Sequence, residues 1–446
     1  MILLRRYLLT YLFGLSALLF VTTGNAALTI EITQGAEGAL PIAVVPFGWQ
    51  GEGAVPEDIS EIIANDLTRS GRFSALDKTQ LVAQPHFGSE VKFNTWRFLK
   101  VENLVIGNVR RTGPQQFEVR FQLFDIYKGV QLAGYSIPAT TATLRRTAHQ
   151  ISDIIYETLT GEKGAFTTRI AYVTVDGALK HRTYYLNVSD ADGFNEQTIL
   201  RSREPLLSPS WAPDGRQLAY VSFEAGTSQI YLQDVFRGSR KLLASFKGLN
   251  SAPAWSPDGR WLAMTLSKDG NAEIYLFDLA TRDLKRMTFN RAIDTEASWA
   301  PDGKSLVFTS DRGGNPQIYR VYVNQAGQRG ELKRLTFEGK YNARASFSPN
   351  GKMLTFVHAV HGAYRIATLD LASGAINVLT ETYLDESPSF APNGSMIIYA
   401  TNEQNRGVLA AVSVDGRVHQ RLLIKNKDVR EPAWSPFEQR NNKGAN

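Results

Sequence analysis

Six related hexapeptides punctuate the second half of the chain: SWAPDG at residues 210–215, AWSPDG at 254–259, SWAPDG at 298–303, SFSPNG at 346–351, SFAPNG at 389–394 and AWSPFE at 433–438. Their first residues lie 44, 44, 48, 43 and 44 positions apart. A period near 44 residues is that of one four-stranded sheet in a β-propeller, so the spacing alone predicts blades set around a channel. Residue types within each copy agree. Pro fixes φ at the first turn position, Asp or Asn tolerates the next, and Gly takes positive φ, so the strand ahead of the turn must reverse. Alternating apolar segments follow, such as residues 217–223 and 261–266, and a second set about a dozen residues later includes Gln229-Ile230-Tyr231-Leu232 and Glu273-Ile274-Tyr275-Leu276. The Trp or Phe just ahead of Ser/Ala-Pro reads as a ring packed between neighbouring sheets rather than as a cofactor contact.

The last hexapeptide has too little chain after it for further strands, whereas three strand-like segments precede the first: Arg169-Ile170-Ala171-Tyr172-Val173, Tyr184-Tyr185-Leu186-Asn187-Val188 and Gln197-Thr198-Ile199-Leu200. The sixth blade is therefore expected to be shared, with residues 429–436 as its innermost strand and residues 168–201 as the other three. That pairing joins the ends of the ring and hides its edges.

The remainder reads differently. In MILLRRYLLTYLFGLSALLFVTTGNA, Arg5 and Arg6 precede an apolar stretch, and Gly24 and Ala26 stand at the small-residue positions of a cleavage site, so residues 1–26 read as a signal peptide cleaved after Ala26. Residues 27–163 lack the repeat and read as α/β. Ile42–Phe47 is a buried strand, and Pro56-Glu57-Asp58 opens a helix with Ile59, Ile62, Ile63 and Leu67 inward, stopped by Gly71. A second helix is expected around Trp96. Residues 103–110 and the alternating Phe117, Val119, Phe121 and Leu123 read as strands, and Thr143 starts a helix with Leu144, Ile151, Ile154, Ile155 and Leu159 inward. The predicted fold is thus an α/β N-terminal domain (27–163) followed by an all-β six-bladed β-propeller (164–446).

Composition narrows the chemistry. With no cysteine, thiol catalysis, iron–sulfur clusters, thiolate zinc and disulfides are all excluded. The formal charge of +6 falls to +4 once Arg5 and Arg6 leave with the signal, and basic residues are interspersed with acidic ones, which argues against nucleic acid. No G-x-S-x-G pentapeptide occurs, so the serine-hydrolase reading of a propeller protein lacks its nucleophile. Gly303-Lys304-Ser305 falls in a repeat turn and reads as that turn, not as a phosphate loop. On a strand, His358 and His361 would face opposite ways and do not read as metal ligands. No catalytic residue, metal or cofactor is predicted.

The parts together resemble a known family. A secreted precursor, the PIAVVPF strand at 41–47, and a propeller containing EPLLSPSWAPDG, TEASWAPDG, LDESPSFAPNG and the closing PAWSP at 432–436 are similar to the TolB family of the Tol–Pal system over essentially the whole chain. The resemblance implies a non-enzymatic periplasmic adaptor. Its propeller mouth would bind the lipoprotein Pal, and its mature N-terminus would bind TolA, linking it indirectly to the other inner-membrane Tol proteins. The implied role is outer-membrane integrity and invagination of the outer membrane during cell division, with no direct membrane insertion after signal cleavage. Propeller-containing hydrolases and secreted glycan-binding proteins are the competing classes.

Propeller geometry says where a partner would sit. The strand ahead of each hexapeptide should line the channel, so the residues before it converge on one mouth: Ser208; Leu249 and Asn250; Thr295 and Glu296; Asn342 and Arg344; Asp385 and Glu386; Arg430 and Glu431. This mixture of both charge signs with amides suits a polar protein ligand. Thr295, Glu296 and Glu386 lie in stretches that match the family pattern, and Leu249 stands where a polar residue is expected. A second candidate is the segment from Ala27 to Ala39, which alternates through Leu28, Ile30 and Ile32 and can either dock on its own protein or add a strand to a partner's sheet. From the resemblance, partner binding at the propeller is expected to change whether that segment is docked or free.

Overall fold

The computed structural model describes residues 29–34, 38–178, 181–423 and 427–438; the predicted cleavage residue Ala26 and the site residues Ala27 and Leu28 lie outside them. Two parts follow one another along the chain, and the order of elements is that expected from the repeat.

In the N-terminal part a mixed sheet runs in the order Phe73–Ala75, Leu40–Val44, Asn103–Gly113, Gln116–Asp125, Val130–Thr140, and Gly48–Gln50 also pairs with the Asn103–Gly113 strand. Its first two pairings are parallel, because α1 (Ile59–Arg69) crosses over between the strands, and the later ones are antiparallel hairpins. Alternation along Leu40–Val44 decides which face each residue serves. Ile42 and Val44 point toward α1 and α3 (Leu144–Thr160), while Ala43 and Val45 pack against Trp96 of α2 (Phe93–Phe98). The Asp58 carboxylate caps α1 by accepting from Glu61 N at 3.0 Å. Past its end, Gly71 has φ of +71°, and a Cβ there would come within 2.3 Å of Val418 in the propeller. Glycine is thus required both by the turn and by the contact between the two parts. In α3, Ile154 and Leu159 are only partly buried at the margin of this core.

The propeller has six blades. Their innermost strands are Leu206–Trp211, Asn250–Trp255, Asp294–Trp299, Asn342–Phe347, Glu386–Phe390 and Asp428–Trp434, for blades 1 to 6 in that order. Blade 6 is shared as expected: Asp428–Trp434 pairs antiparallel with Arg169–Asp176, followed outward by Thr183–Asp190 and Gln197–Ser202. In the five copies that contain it, the turn glycine has φ between +66° and +76° (Gly215, Gly259, Gly303, Gly351 and Gly394). The ring preceding Ser/Ala-Pro wedges between sheets, and its indole often ties neighbouring blades. Trp211 Nε1 donates to Ala433 O at 3.0 Å, and Trp255 Nε1 donates to Ser210 O at 3.2 Å. Blade 5 carries a fifth strand, because Thr29–Gln34 pairs antiparallel with its outer strand His419–Leu423.

The N-terminal part rests on the hairpin-turn end of blades 5 and 6. Asn393 donates to Lys163 O at 3.0 Å, Arg146 forms a salt bridge with Glu438, and Arg145 forms one with Asp192. Between the parts, His149 is sandwiched, 2.7 Å from Asp66 of α1 and 3.4 Å from Asp192 of blade 6. None of these contacts involves the opposite end of the channel, where each innermost strand begins. No helix among the described residues is long and apolar enough to cross a membrane.

Candidate functional site

Each innermost strand carries a β-bulge at the same repeat position. Its pairing with the second strand slips between residues 207 and 210, 251 and 254, 295 and 298, 343 and 346, 386 and 389, and 430 and 433. Inside every bulge the residue two places before the hexapeptide has positive φ: Ser208, Ala252, Glu296, Arg344, Ser387 and Glu431, at +45° to +56°. None is glycine, so each stores some strain, of order 1–3 kcal/mol, and a bulge is the usual device for re-aiming a side chain. The six form a ring lining the channel.

Charge is concentrated in that ring. Arg344 donates to both Glu431 oxygens, at 3.1 and 2.7 Å, and its Nε is 3.3 Å from Glu296. Glu431 also accepts from Ser208 N at 3.3 Å, and Glu296 accepts from Thr309 Oγ1 at 3.1 Å. Burial disfavours ionisation of Glu431, but the Arg344 charge and hydrogen bonds outweigh it and hold its carboxyl below the usual range. Burial dominates at Glu296 and pushes its pKa up against the pull of Arg344. Glu386 is raised by burial and by the Glu431 charge. Two carboxylates and one guanidinium thus meet at the ring, with Glu386 adding a third carboxylate nearer the mouth.

That mouth is a cavity of about 370 Å³ bounded by Glu296, Arg344, Tyr341, Tyr364, Leu384 and Glu386, with Asp385 and Arg430 also on its wall. Of the sequence-derived set, Ser208, Glu296, Arg344 and Glu431 come together in the ring. Thr295 is half-buried, with its hydroxyl 3.3 Å from that of Thr265, and Arg430 is exposed and paired with Asp428 at 3.1 Å. Asn250, Asn342 and Asp385 need a correction, since their side chains are buried and bonded within the blade and leave little for a partner to touch. Asn250 accepts from Phe246 N at 2.8 Å, Asn342 donates to Glu338 O at 2.8 Å, and Asp385 accepts from Thr382 at 2.6 Å. All three stand four residues before their hexapeptide, where a buried polar group pins the loop arriving from the preceding blade.

Leu249 is no exception to a polar pattern. The corresponding positions in blades 3, 4 and 5 are Ile293, Tyr341 and Leu384, all apolar. Leu249, Ile293, Leu384 and the adjacent Tyr383 are 38, 55, 44 and 66% exposed. Ile293, Tyr383 and Leu384 are absent from the sequence-derived set because polarity marked a mouth residue there. Ala252 and Ser387 are absent from it too, although both stand at the fixed offset of two residues from the hexapeptide. The surface is therefore apolar patches around a charged centre, the composition of a protein-binding face.

The second candidate segment is docked. Ile30 and Ile32 lie in the added strand of blade 5, opposite Leu422 and Gln420 in register, and Thr33 Oγ1 donates to His419 O at 3.2 Å.

Comparison with known proteins agrees with this architecture. Residues 28–132 match the family described as the TolB amino-terminal domain, and residues 156–438 match the TolB beta propeller domain. The Tol-Pal system protein TolB of Nitrosococcus oceani is 63% identical over 92% of this chain and 94% of its own length. That of Thioalkalivibrio sulfidiphilus is 61% identical over 93% and 94%. The crystal structure of TolB from Acinetobacter baumannii superposes with a TM-score of 0.85 at 44% identity, covering 92% of this chain and 100% of that one. With both family models matched and relatives aligned over more than nine-tenths of its length, the chain belongs to the TolB family, non-catalytic β-propeller components of the Tol–Pal system.

Proposed function

We propose that this protein is a periplasmic adaptor that holds Pal at the mouth of its propeller and presents its mature N-terminus to TolA. In that role it supports outer-membrane integrity and draws the outer membrane inward at division. The observation that carries the reading is the mouth itself: exposed Leu249, Ile293, Tyr383 and Leu384 around a buried charged centre, at the end of the channel away from the N-terminal domain. Apolar anchors around a charged centre supply affinity and orientation together. The segment 29–34 is held as an edge strand, so it can exchange one sheet for another. Residues 1–26 serve as the export signal.

Two variants separate the partner sites. Removing residues 27–34 is expected to abolish binding to purified TolA while leaving binding to the soluble domain of Pal, and Leu384→Asp is expected to do the reverse. Equal loss of both partners in either variant, with the fold intact, contradicts the assignment of two distinct sites.

A further inference from the structure

Blades 2 and 3 share a second repeated hexapeptide. LKRMTF at residues 284–289 covers the outermost strand of blade 2, Leu284–Arg286, and the start of the connection to the next innermost strand. LKRLTF at 332–337 holds the same place at the end of the Arg329–Arg334 strand of blade 3. The Thr in each is a buried anchor: Thr288 Oγ1 accepts from Ile274 N and Thr336 Oγ1 from Ile318 N, both at 2.9 Å. The Phe that follows is turned out to solvent, 61% exposed at Phe289 and 71% at Phe337. Blade 4 keeps the anchor, Thr380, which accepts from Ile366 N at 3.0 Å, but its equivalent segment at 376–381 reads INVLTE. The fold therefore needs the Thr and not the cations or the Phe.

Those extra residues form one surface. Arg286 lies over the Phe289 ring at 4.9 Å and Arg334 over the Phe337 ring at 5.1 Å, while Arg329 of blade 3 reaches across to 5.8 Å from Phe289. Charge there is one-sided. Residues 284–293 hold Lys285, Arg286 and Arg291 with no carboxylate, and residues 332–341 hold Lys333, Arg334 and Lys340 against Glu338 alone. Arg286 is engaged by buried Glu273 at 2.9 Å. Arg291, Lys333 and Lys340 are exposed and form no ion pair among the described residues. Cations on an outer strand can simply protect a sheet edge, but Arg291 and Lys340 lie in connections beyond the strands, where there is no edge to protect. Arg291 stands two residues before Ile293 and Lys340 one before Tyr341, so this basic, aromatic rim runs directly into the apolar mouth.

We propose that the protein held at the mouth presents an acidic face to this rim, so that the contact surface extends outward over blades 2 and 3. The proposal rests on the reading of the mouth as a partner site. Partner carboxylates would pair with Arg291, Lys333 and Lys340, and its aliphatic side chains would pack on Phe289 and Phe337. Rim charges act chiefly on the rate and orientation of encounter, whereas the rings act on the lifetime of the complex. A bilayer with anionic headgroups would also attract the cations, but continuity with the mouth favours a protein already seated there.

The test uses the mature protein, with the soluble domain of Pal from the same organism as probe, and follows association at about 25 mM and about 250 mM salt. Native association should slow about tenfold at the higher salt. The triple variant Arg291→Glu, Lys333→Glu, Lys340→Glu should associate about tenfold more slowly at the lower salt and lose most of the salt dependence. Phe337→Ser should instead speed dissociation about fivefold. Thermal midpoints matched to the native protein would exclude misfolding as the cause. Equal association by native protein and triple variant at both salt concentrations would overturn the proposal and leave the mouth as the partner site. No binding by the native protein would contradict the mouth itself, and the proposal with it. Phosphatidylglycerol vesicles that bind the native protein but not the triple variant, with association to Pal unchanged, would assign the rim to a membrane and also overturn the proposal.

Discussion

Arg344 of blade 4 and Glu431 of blade 6 are joined by two hydrogen bonds, of 3.1 and 2.7 Å, across the propeller channel, skipping the blade between them. Both sit in bulges at positive φ, so the strain of two backbones is spent on bringing one charge pair to the centre of the ring. The network is most sensitive to loss of its one cation.

Replacing Arg344 by Met should therefore destabilise the propeller by about 2 kcal/mol, because Glu431 and Glu296 are left facing one another without a counter-charge. Adding Glu431→Gln should recover part of that loss. Urea unfolding of the single and double variants measures both values, and a double variant less stable than the single one would contradict this role for the pair.

A second charge cluster makes the domain junction pH-dependent. Burial works against protonation of His149, but the charges and hydrogen bonds of Asp66 and Asp192 prevail and raise its pKa from 6.5 to about 9. Arg145 and Arg69 also act on Asp192, whose carboxyl is held low. A raised histidine pKa contributes stability that is complete below about 6.5 and is lost as pH climbs through about 9. The thermal midpoint should fall between pH 7 and pH 9.5 more steeply in the native protein than in His149→Gln. Parallel pH profiles would remove His149 from the junction's energetics.

Equivalent tryptophans should respond differently to the same change. Trp211→Phe loses the bond to Ala433 O and should cost about 1 kcal/mol beyond the altered packing, whereas Trp299→Phe loses no bond among the described residues. Chemical denaturation of the two variants compares them directly, and equal costs would mean that the hydrogen bond is not what separates the two sites.

The added strand of blade 5 offers a dynamic readout. With residues 27–34 removed, the amides of His419–Leu423 that face it lose their partners, so their hydrogen exchange should accelerate while the innermost strand Glu386–Phe390 stays protected. Exchange unchanged at 419–423 would mean that the strand is not docked in solution.

Much of this architecture was legible because it is periodic. The hexapeptides fixed the blade count, and the leftover strands at 168–201 revealed the shared sixth blade, since a ring must close. Other parts were not. Nothing in Ala252 or Ser387 signals positive φ, which in this fold comes from a bulge and not from residue type. The strand Val130–Thr140 went unread because it lacks alternation and contains Pro138, which a sheet tolerates at an edge. Asn250, Asn342 and Asp385 looked like surface groups because a polar side chain does not show in sequence whether its partner is water or the loop behind it. The docking of 29–34 on a strand nearly 400 residues away is a long-range pairing that no local pattern encodes.

The most direct test of the account is calorimetric titration of the mature protein, and of its Ile293→Asp variant, with the soluble domain of Pal from the same organism. Ile293 is 55% exposed on the mouth and touches none of the channel charges, so the variant should keep its thermal midpoint. Saturable binding by the native protein, weakened about tenfold or more by the variant, is the predicted result. No binding at high micromolar concentration, or equal binding by both proteins, would contradict the propeller mouth as the Pal site.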